Sequence, residues 1–187
     1  MIATAALADE EAAGKFIEDL ADKAVASLSV DGVSRDERAE KFHNLLSEHF
    51  AIETIGRWVL GRYWKKASKE ERAEFLKLFE DLIVATYVDR FSRYSGSGVL
   101  KVIKTITSKD GDIVVYSAVK GLDGNSPAKV EWRIRKKNGS FKIVDVMIEG
   151  ISMGLTQRSE FASVIRRNGG KVEGLLSALR KRLEKDA

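Results

Sequence analysis

Apolar side chains recur every three or four residues through the first half of the chain, the spacing that predicts amphipathic helices. Two capping boxes, each a serine followed three residues later by a glutamate, mark helix starts at Ser34 and Ser68. The helix that follows Ser68 has the widest apolar face and ends before Ser95-Gly96. The pattern predicts four helices, over 10–28, from Ser34 to about Phe50, over 53–60, and from Ser68 to about Phe91.

From Val99 onward the hydrophobic period changes to two, which predicts β-strands separated by turn residues. The expected strands are 99–107, 112–120, 129–135 and 140–149, and two helices follow over 156–167 and 171–185. This order of elements predicts an α+β fold. Helices are expected to pack over one face of a twisted antiparallel sheet of about four strands, as in the cone of NTF2-like proteins.

The turn at Asn138-Gly139 permits two pairings of the last two strands. A two-residue loop would place Trp132 opposite Asp145, which puts a carboxylate on the apolar face. A three-residue loop pairs Trp132 with Val144 and keeps apolar residues together, so we expect this second register. The apolar face of the hairpin is then Val130, Trp132, Ile134, Val144, Val146 and Ile148.

Composition and charge exclude several classes of function. The chain has 187 residues, enough for a single domain, with 32 basic and 28 acidic side chains and a net charge of +4. Basic residues are not interleaved with stacking aromatics, so we expect no nucleic-acid partner, whereas attraction to anionic lipid surfaces fits this charge. With no cysteine, disulfides, thiolate metal sites and a cysteine nucleophile are excluded.

The first eight residues have two interpretations. Ala6-Leu7-Ala8 before Asp9 matches the small-residue end of a secretory signal peptide, although the basic and long apolar parts are missing. The same residues also fit the start of an alanine-rich helix. We therefore expect residues 1–8 to be a signal-peptide remnant or a disordered start, and residues 9–187 to form one domain that works outside the cytoplasm.

Candidate catalytic and metal-binding groups are sparse. His43 and His49 are six residues apart and do not share a helix face, so no metal site is expected. Asp145 and Glu149 would lie about 13 Å apart along one strand, too far for a carboxylate pair. An NTF2-like small-molecule enzyme would need an acid and a hydrogen-bond donor in an apolar pocket, and Tyr116 with Asp145 is the candidate pair. The sequence leaves the relative facing of these two residues open.

Residues 50–91 are rich in aromatic and large aliphatic side chains. Such a stripe forms either a filled core or the lining of a ligand pocket. A pocket requires that the helices and the sheet stay apart, with bulky side chains lining the gap.

Two long segments resemble the MlaC-like family, also called toluene-tolerance proteins. The first is AIETIGRWVLGRYWKKAS at 51–68, followed by ERAEFLKLFEDLIVATYVDRFSRYSG at 71–96. The second is FKIVDVMIEGISMGLTQRSEFASVIRRNGGKVEGLLSAL at 141–179, which contains the pattern Asp-Val-x-x-Glu-Gly-Ile-Ser followed by Arg-x-x-Phe. The resemblance extends over about residues 10–183. Gln157 departs from the family, which usually has tyrosine there, and the 58–64 run looks closer to a hopanoid-associated branch.

The resemblance implies a periplasmic, non-catalytic carrier that moves phospholipid, or a hopanoid-type lipid, between outer and inner membranes. Its expected partners are an inner-membrane ABC transporter with a substrate-receiving ring protein and an outer-membrane lipoprotein complex that maintains lipid asymmetry. No cofactor is expected other than the bound lipid.

Resemblance and pattern together nominate ten residues as the lining of a lipid pocket between sheet and helices: Trp58, Val59, Tyr63, Phe79, Tyr87, Tyr116, Trp132, Val144, Val146 and Met153. The lipid headgroup is expected in solvent near basic side chains such as Arg57 or Arg133. Gly150 is expected to let the chain turn from sheet into helix. Arg158 is expected either to pair with Glu149 or to belong to a transporter-facing surface.

Overall fold

A helical N-terminal half, a sheet and two further helices follow one another along the chain. The structure is a computed structural model that describes residues 2–91, 99–120 and 127–186. The helices are α1 (Ile2–Leu28), α2 (Arg35–His49), α3 (Ile52–Leu60), α4 (Lys69–Phe91), α5 (Met153–Arg167) and α6 (Val172–Asp186), with a 3₁₀ turn at Gly61–Tyr63. The strands are β1 (Leu100–Thr107), β2 (Ile113–Val119), β3 (Ala128–Lys137), β4 (Ser140–Ile148) and β5 (Ile151–Ser152).

Both predicted helix starts are capped by their serines, and the box at Ser68 is complete. At the start of α4, the Glu71 backbone N–H donates to Ser68 Oγ at 3.0 Å, and Glu71 Oε2 accepts from the Ser68 N–H at 2.8 Å. Ser34 Oγ likewise accepts from the Glu37 N–H at 3.1 Å. The Glu37 carboxylate turns instead to Lys41, one helical turn later. Local sequence therefore determines where α2 and α4 begin.

The α+β prediction is confirmed, and the sheet has five antiparallel strands in the order β1-β2-β3-β4-β5. The prediction of about four strands missed β5, because a two-residue strand has no periodic pattern to recognise. Glu149 and Gly150 have positive φ values of 50° and 78°, and they form the tight turn that joins β4 to β5. Gly150 thus turns the chain from β4 towards α5, as the sequence indicates.

The predicted register of the β3–β4 hairpin is wrong. Lys137 pairs with Ser140, so the turn has two residues, Asn138 and Gly139, both with positive φ. Val144 is then left out of the ladder as a bulge. This bulge moves Asp145 to the outer face and places Val146 opposite Trp132. Apolar residues therefore stay together because of the bulge, and not because of the three-residue loop that the sequence predicted.

One face of the sheet, which we call the inner face, packs against α1. Ala13 and Ile17 of α1 lie on Ile113, Val115, Ile134 and Ile143. The free edge of β1 is covered by two carboxylates of the same helix. Glu10 accepts from the Thr107 N–H at 2.7 Å, and Glu18 accepts from the Val102 N–H at 3.4 Å. These bonds protect an edge that would otherwise be open to pairing with another strand.

Residues 2–8 continue α1 without a break. Their assignment to a signal-peptide remnant stays a prediction. Within the described residues, no helix combines the length and apolar character required to cross a bilayer.

A candidate apolar cleft

The inner face of the sheet is closed at one end. Ile134, Ile143 and Val115 have no exposed surface there, because Ala13 and Ile17 of α1 cover them fully. This end of the sheet is an ordinary packed core.

Towards the other end, apolar side chains stay partly exposed although they point towards the helices. Trp132 and Val146 face each other across β3 and β4, and Ile148 continues the same face. On the helical side, Tyr87 of α4 and Met153 of α5 are also half-buried, and their Oη and Sδ atoms lie 4.0 Å apart. We call these five residues the cleft.

Two side chains connect the sheet side and the helical side of the cleft. Leu20 of α1 and Phe50 pack against both the sheet residues and the helical cluster that includes Tyr87, so the two walls meet at these side chains. Ile148 and Met153 pack against none of the three apolar clusters that the described residues form. The partial exposure of all five side chains makes the cleft a candidate surface for an apolar ligand.

The buried hydroxyl of Ser117 holds the Trp132 side chain in place on the sheet side of the cleft. Trp132 Nε1 donates to Ser117 Oγ at 3.0 Å, and Ser117 Oγ donates to the Val130 carbonyl at 3.0 Å. Ser117 is only 2% exposed. Since the polar atoms of both side chains are satisfied, the indole presents a purely apolar surface to the cleft.

The structure brings four of the ten nominated residues together in two pairs, Tyr87 with Met153 and Trp132 with Val146. Val59, Tyr63 and Phe79 lie in a different place, a closed core built by α3, α4, α5 and α6. They are at most 6% exposed, so a ligand would reach them only after that core had opened. Their role as pocket lining stays a prediction, and their packing gives it no support.

The remaining three nominated residues lie apart from the cleft. Tyr116 is on the outer face, because its neighbour Val115 points inwards, and the Lys104 ammonium sits 4.4 Å from its ring. Val144 is the bulged residue of β4. Trp58 is 36% exposed on α3. The bulge explains why Val144 is not opposite Trp132, where the expected register placed it, and the role of Val144 as pocket lining stays a prediction.

Trp58 lies against the start of α5. A Cβ added to Gly154 would lie 2.3 Å from its Cζ3 atom, so only glycine permits this contact. The Arg158 guanidinium stands 5.8 Å from the same ring. The expected pair of Arg158 with Glu149 is not formed, because Glu149 Oε1 accepts from the Lys129 backbone N–H at 2.6 Å.

Arg133 lies on the outer face of the sheet, and its expected place beside a headgroup stays a prediction. On the outer face, its Nε donates to Asp112 Oδ2 at 2.7 Å, and its Nη2 also bonds to Asp110. Arg135 donates to both oxygens of Asp112, at 2.7 and 2.8 Å. Burial alone would raise the pKa of Asp112, but the hydrogen bonds from Arg135 and Arg133 outweigh it and hold this pKa below its ordinary value.

The candidate catalytic pair does not come together. Tyr116 lies on β2 and Asp145 on β4, with β3 between them, which separates them by about 10 Å. Asp145 instead accepts hydrogen bonds from Ser152 Oγ at 2.7 Å and from the Gly154 N–H at 3.2 Å. Asp145 thereby helps to cap the start of α5.

The two histidines are also separate. His43 lies 3.5 Å from Glu80, whereas His49 packs edge-on against Phe16. Burial lowers the pKa of His49. Among the described residues, no group of three potential metal ligands comes together.

Another apolar depression, with a volume of about 350 Å³, lies between α2 and α4. Ala39, Val84, Val88 and Leu183 form its floor, and charged residues such as Arg35 and Asp81 surround it. It lies away from the inner face of the sheet.

Sequence reasoning missed Ser117 and Ile148 as components of the site. Ser117 is in phase with Ile113 and Val115 on β2, so strand alternation alone places its hydroxyl on the inner face. Ile148 belonged to the predicted apolar face but was not nominated. In both cases, the alternation of inward and outward side chains along the strand could have identified the residue.

Comparison with known proteins gives a consistent result. A family model described as MlaC protein matches residues 18–181. The intermembrane phospholipid transport system binding protein MlaC of Haemophilus influenzae is 26% identical over 128 residues, which cover 67% of this chain and 60% of that protein. The toluene tolerance protein ttg2D of Pseudomonas putida is 25% identical over 114 residues, covering 60% of this chain and 51% of that protein. The matched segments thus span only part of these relatives.

A solved structure shares the fold. The phospholipid-binding protein from Ralstonia solanacearum, determined in complex with a phospholipid, superposes with a TM-score of 0.80 at 23% identity. The match covers 92% of this chain and 97% of that one.

Proposed function

Because this chain belongs to the MlaC protein family, we propose that it is a periplasmic carrier that holds the acyl chains of a phospholipid in the cleft. The observation that carries the proposal is the partly open inner face at Trp132 and Val146, next to a fully closed one at Ile134 and Ile143. An apolar surface left open beside a packed core fits a site for hydrocarbon.

The energetics suit a carrier. Two acyl chains contain about thirty methylenes, and each gains roughly 0.8 kcal/mol when it leaves water. A bilayer offers nearly the same gain, so transfer between membrane and carrier is close to balanced. The protein then needs no catalytic group and no nucleotide, and its partners set the direction of transport.

The partners that fit this role are an inner-membrane ABC transporter with a lipid-receiving ring protein and an outer-membrane lipoprotein complex. Relatives named for an intermembrane phospholipid transport system and for toluene tolerance support this placement. The Ralstonia solanacearum protein supports a phospholipid as the ligand.

A hopanoid-type lipid is the other ligand that the sequence suggested. Gln157, the departure from the family pattern, donates to Glu160 of its own helix at 3.0 Å. This contact gives Gln157 no direct connection to the cleft, so it favours neither lipid. Mass spectrometry of the bound lipid distinguishes the two.

The test compares two valine-to-tryptophan variants. Val146→Trp fills the cleft with an indole, whereas Val30→Trp adds the same group at a position that is 46% exposed. Organic extracts of the purified proteins are analysed by mass spectrometry for stoichiometric lipid. We expect lipid in the wild type and in Val30→Trp, and a strong loss in Val146→Trp. Equal lipid in both variants would contradict the location of the site, and a lipid-free wild type would contradict the function.

A further inference from the structure

At the edge of the cleft, which we call the rim, Arg90 of α4 lies beside Tyr87. The Arg90 guanidinium stands 5.1 Å from the centre of the Tyr87 ring, one helical turn further along α4. Tyr87 in turn contacts Met153 of α5 on the same, helical side of the cleft. Arg90 is exposed, so its charge stands between the apolar cleft and solvent.

The acidic neighbour of Arg90 is turned the other way. Asp89 pairs with Arg35 of α2 at 3.3 Å, on the side of α4 that faces away from Tyr87 and Met153. Within the described part of the chain, no carboxylate lies within ion-pair distance of the Arg90 guanidinium. By contrast, Arg133, Arg135 and Arg180 are each paired.

A second residue at the rim, Ile151, is apolar. Ile151 of β5 pairs with Ile148, which places it on the inner face, and 60% of its surface is exposed. The rim therefore contains an exposed aliphatic side chain, Ile151, and a guanidinium, that of Arg90, which stacks on the Tyr87 ring. A stacked guanidinium keeps its N–H edges free to bind a planar or tetrahedral anion with two hydrogen bonds.

From this arrangement we propose that Arg90 binds the phosphate of the lipid headgroup. The proposal rests on the proposed function, because it requires acyl chains in the cleft. A glycerophospholipid with its tails between Trp132 and Tyr87 carries its phosphodiester where hydrocarbon meets solvent, which is the position of Arg90. Arg90 then gives the carrier a preference for phosphate-containing lipids over neutral lipids with the same tails.

The experiment measures lipid release rather than binding alone. Wild type, Arg90→Gln and Arg166→Gln are loaded with fluorescently labelled dioleoylphosphatidylglycerol or with labelled dioleoylglycerol, which lacks the phosphate. Release into phosphatidylcholine vesicles is followed by stopped flow. Arg166 is the matched control, since it is also an exposed arginine in the last turn of a helix. Both substitutions therefore remove a similar charge–dipole interaction.

We expect Arg90→Gln to release the phospholipid roughly three- to tenfold faster, the size of one partly solvated charged hydrogen bond. Diacylglycerol release should not change, and Arg166→Gln should match the wild type for both lipids. Arg90→Lys should be intermediate, because it keeps the charge and loses the two-bond geometry.

Three results would overturn the proposal while leaving the carrier function intact. One is phospholipid release from Arg90→Gln at the wild-type rate. Another is equal acceleration for both lipids, which would indicate a structural role in α4. The last is saturable binding of inorganic phosphate to the lipid-free protein that Arg90→Gln abolishes, which would indicate a free-anion site. Failure of the wild type to take up either lipid would instead overturn the carrier function, and this proposal with it.

Discussion

The two halves of α4 meet two kinds of apolar surroundings. In its first half, Phe75 and Phe79 stack at 5.7 Å, and Phe161 of α5 meets both rings edge-on at 5.9 and 6.1 Å. Phe75 has no exposed surface. In its second half, Tyr87 is half-buried and touches Met153 at the edge of the cleft. One helix thus contributes to a closed core and to an open site with equally apolar side chains.

The difference comes from what covers each half. α3, α5 and α6 surround the first half, and Gly56 of α3 lies so close that an added Cβ would be 2.5 Å from Leu76 Cδ2. In the second half, α1 and α2 cover Val84 and Val88, whereas Tyr87 stays partly exposed. Apolar composition therefore does not identify the site, whereas incomplete coverage does.

The largest expected effect tests that contrast directly. Phe75→Ala should lower the free energy of unfolding by about 3–5 kcal/mol, because it leaves a cavity in a close-packed core. Tyr87→Ala removes an aromatic ring from the same helix where one side is already open, and should cost less than about 2 kcal/mol. Urea unfolding of both variants, after removal of lipid, measures the difference. Equal costs would mean that the cleft is as tightly packed as the core.

An intermediate effect on stability is expected from the cluster of Asp112, Arg133 and Arg135 on the outer face of the sheet. Asp112→Asn removes the negative charge and replaces one of the two acceptor oxygens shared by Arg133 and Arg135 with a donor, and it should cost about 1–3 kcal/mol at neutral pH. The folded protein holds the pKa of Asp112 below its ordinary value of 3.8, so this stabilisation is present above that pH. It is lost as the pH falls through the lower pKa of the folded state.

The stability difference between wild type and Asp112→Asn should therefore be constant near neutrality and shrink in acid. Urea unfolding at a series of pH values measures it. Lipid content should not change, because the cluster lies on the face opposite the cleft. A variant that lost its lipid while remaining folded would show that the two faces are coupled.

The smallest expected effect on stability accompanies a large effect on lipid content. Tyr87→Glu should change the free energy of unfolding by less than about 1 kcal/mol, because the position is half-exposed and Arg90 can pair with the new carboxylate three residues away. A carboxylate in contact with acyl chains should lower lipid occupancy strongly. Native mass spectrometry measures occupancy, with Tyr87→Phe as the control that keeps the ring. Wild-type occupancy in Tyr87→Glu would remove Tyr87 from the site.

Local patterns predicted the elements well. The serine–glutamate pairs at Ser34 and Ser68 mark the starts of α2 and α4, and the change of period at Val99 marks the passage from helix to sheet. These signals are short-range, so each is complete within one stretch of chain. The candidate site was predicted less well, because Val59, Tyr63 and Phe79 have the same apolar character as Trp132 and Val146.

The order of helices and strands, the capping of α2 and α4, and the alternation that places Trp132 inwards all follow from residues close together in the chain. Three other features were decided only when distant segments packed. The bulge at Val144 settled which residues share the inner face. Packing of α3, α5 and α6 closed the first half of α4, whereas α1 and α2 buried Val84 and Val88 in the second half and left Tyr87 partly exposed. Hydrophobicity indicates that a side chain avoids water, but whether protein or lipid covers it depends on how well the neighbouring elements fit.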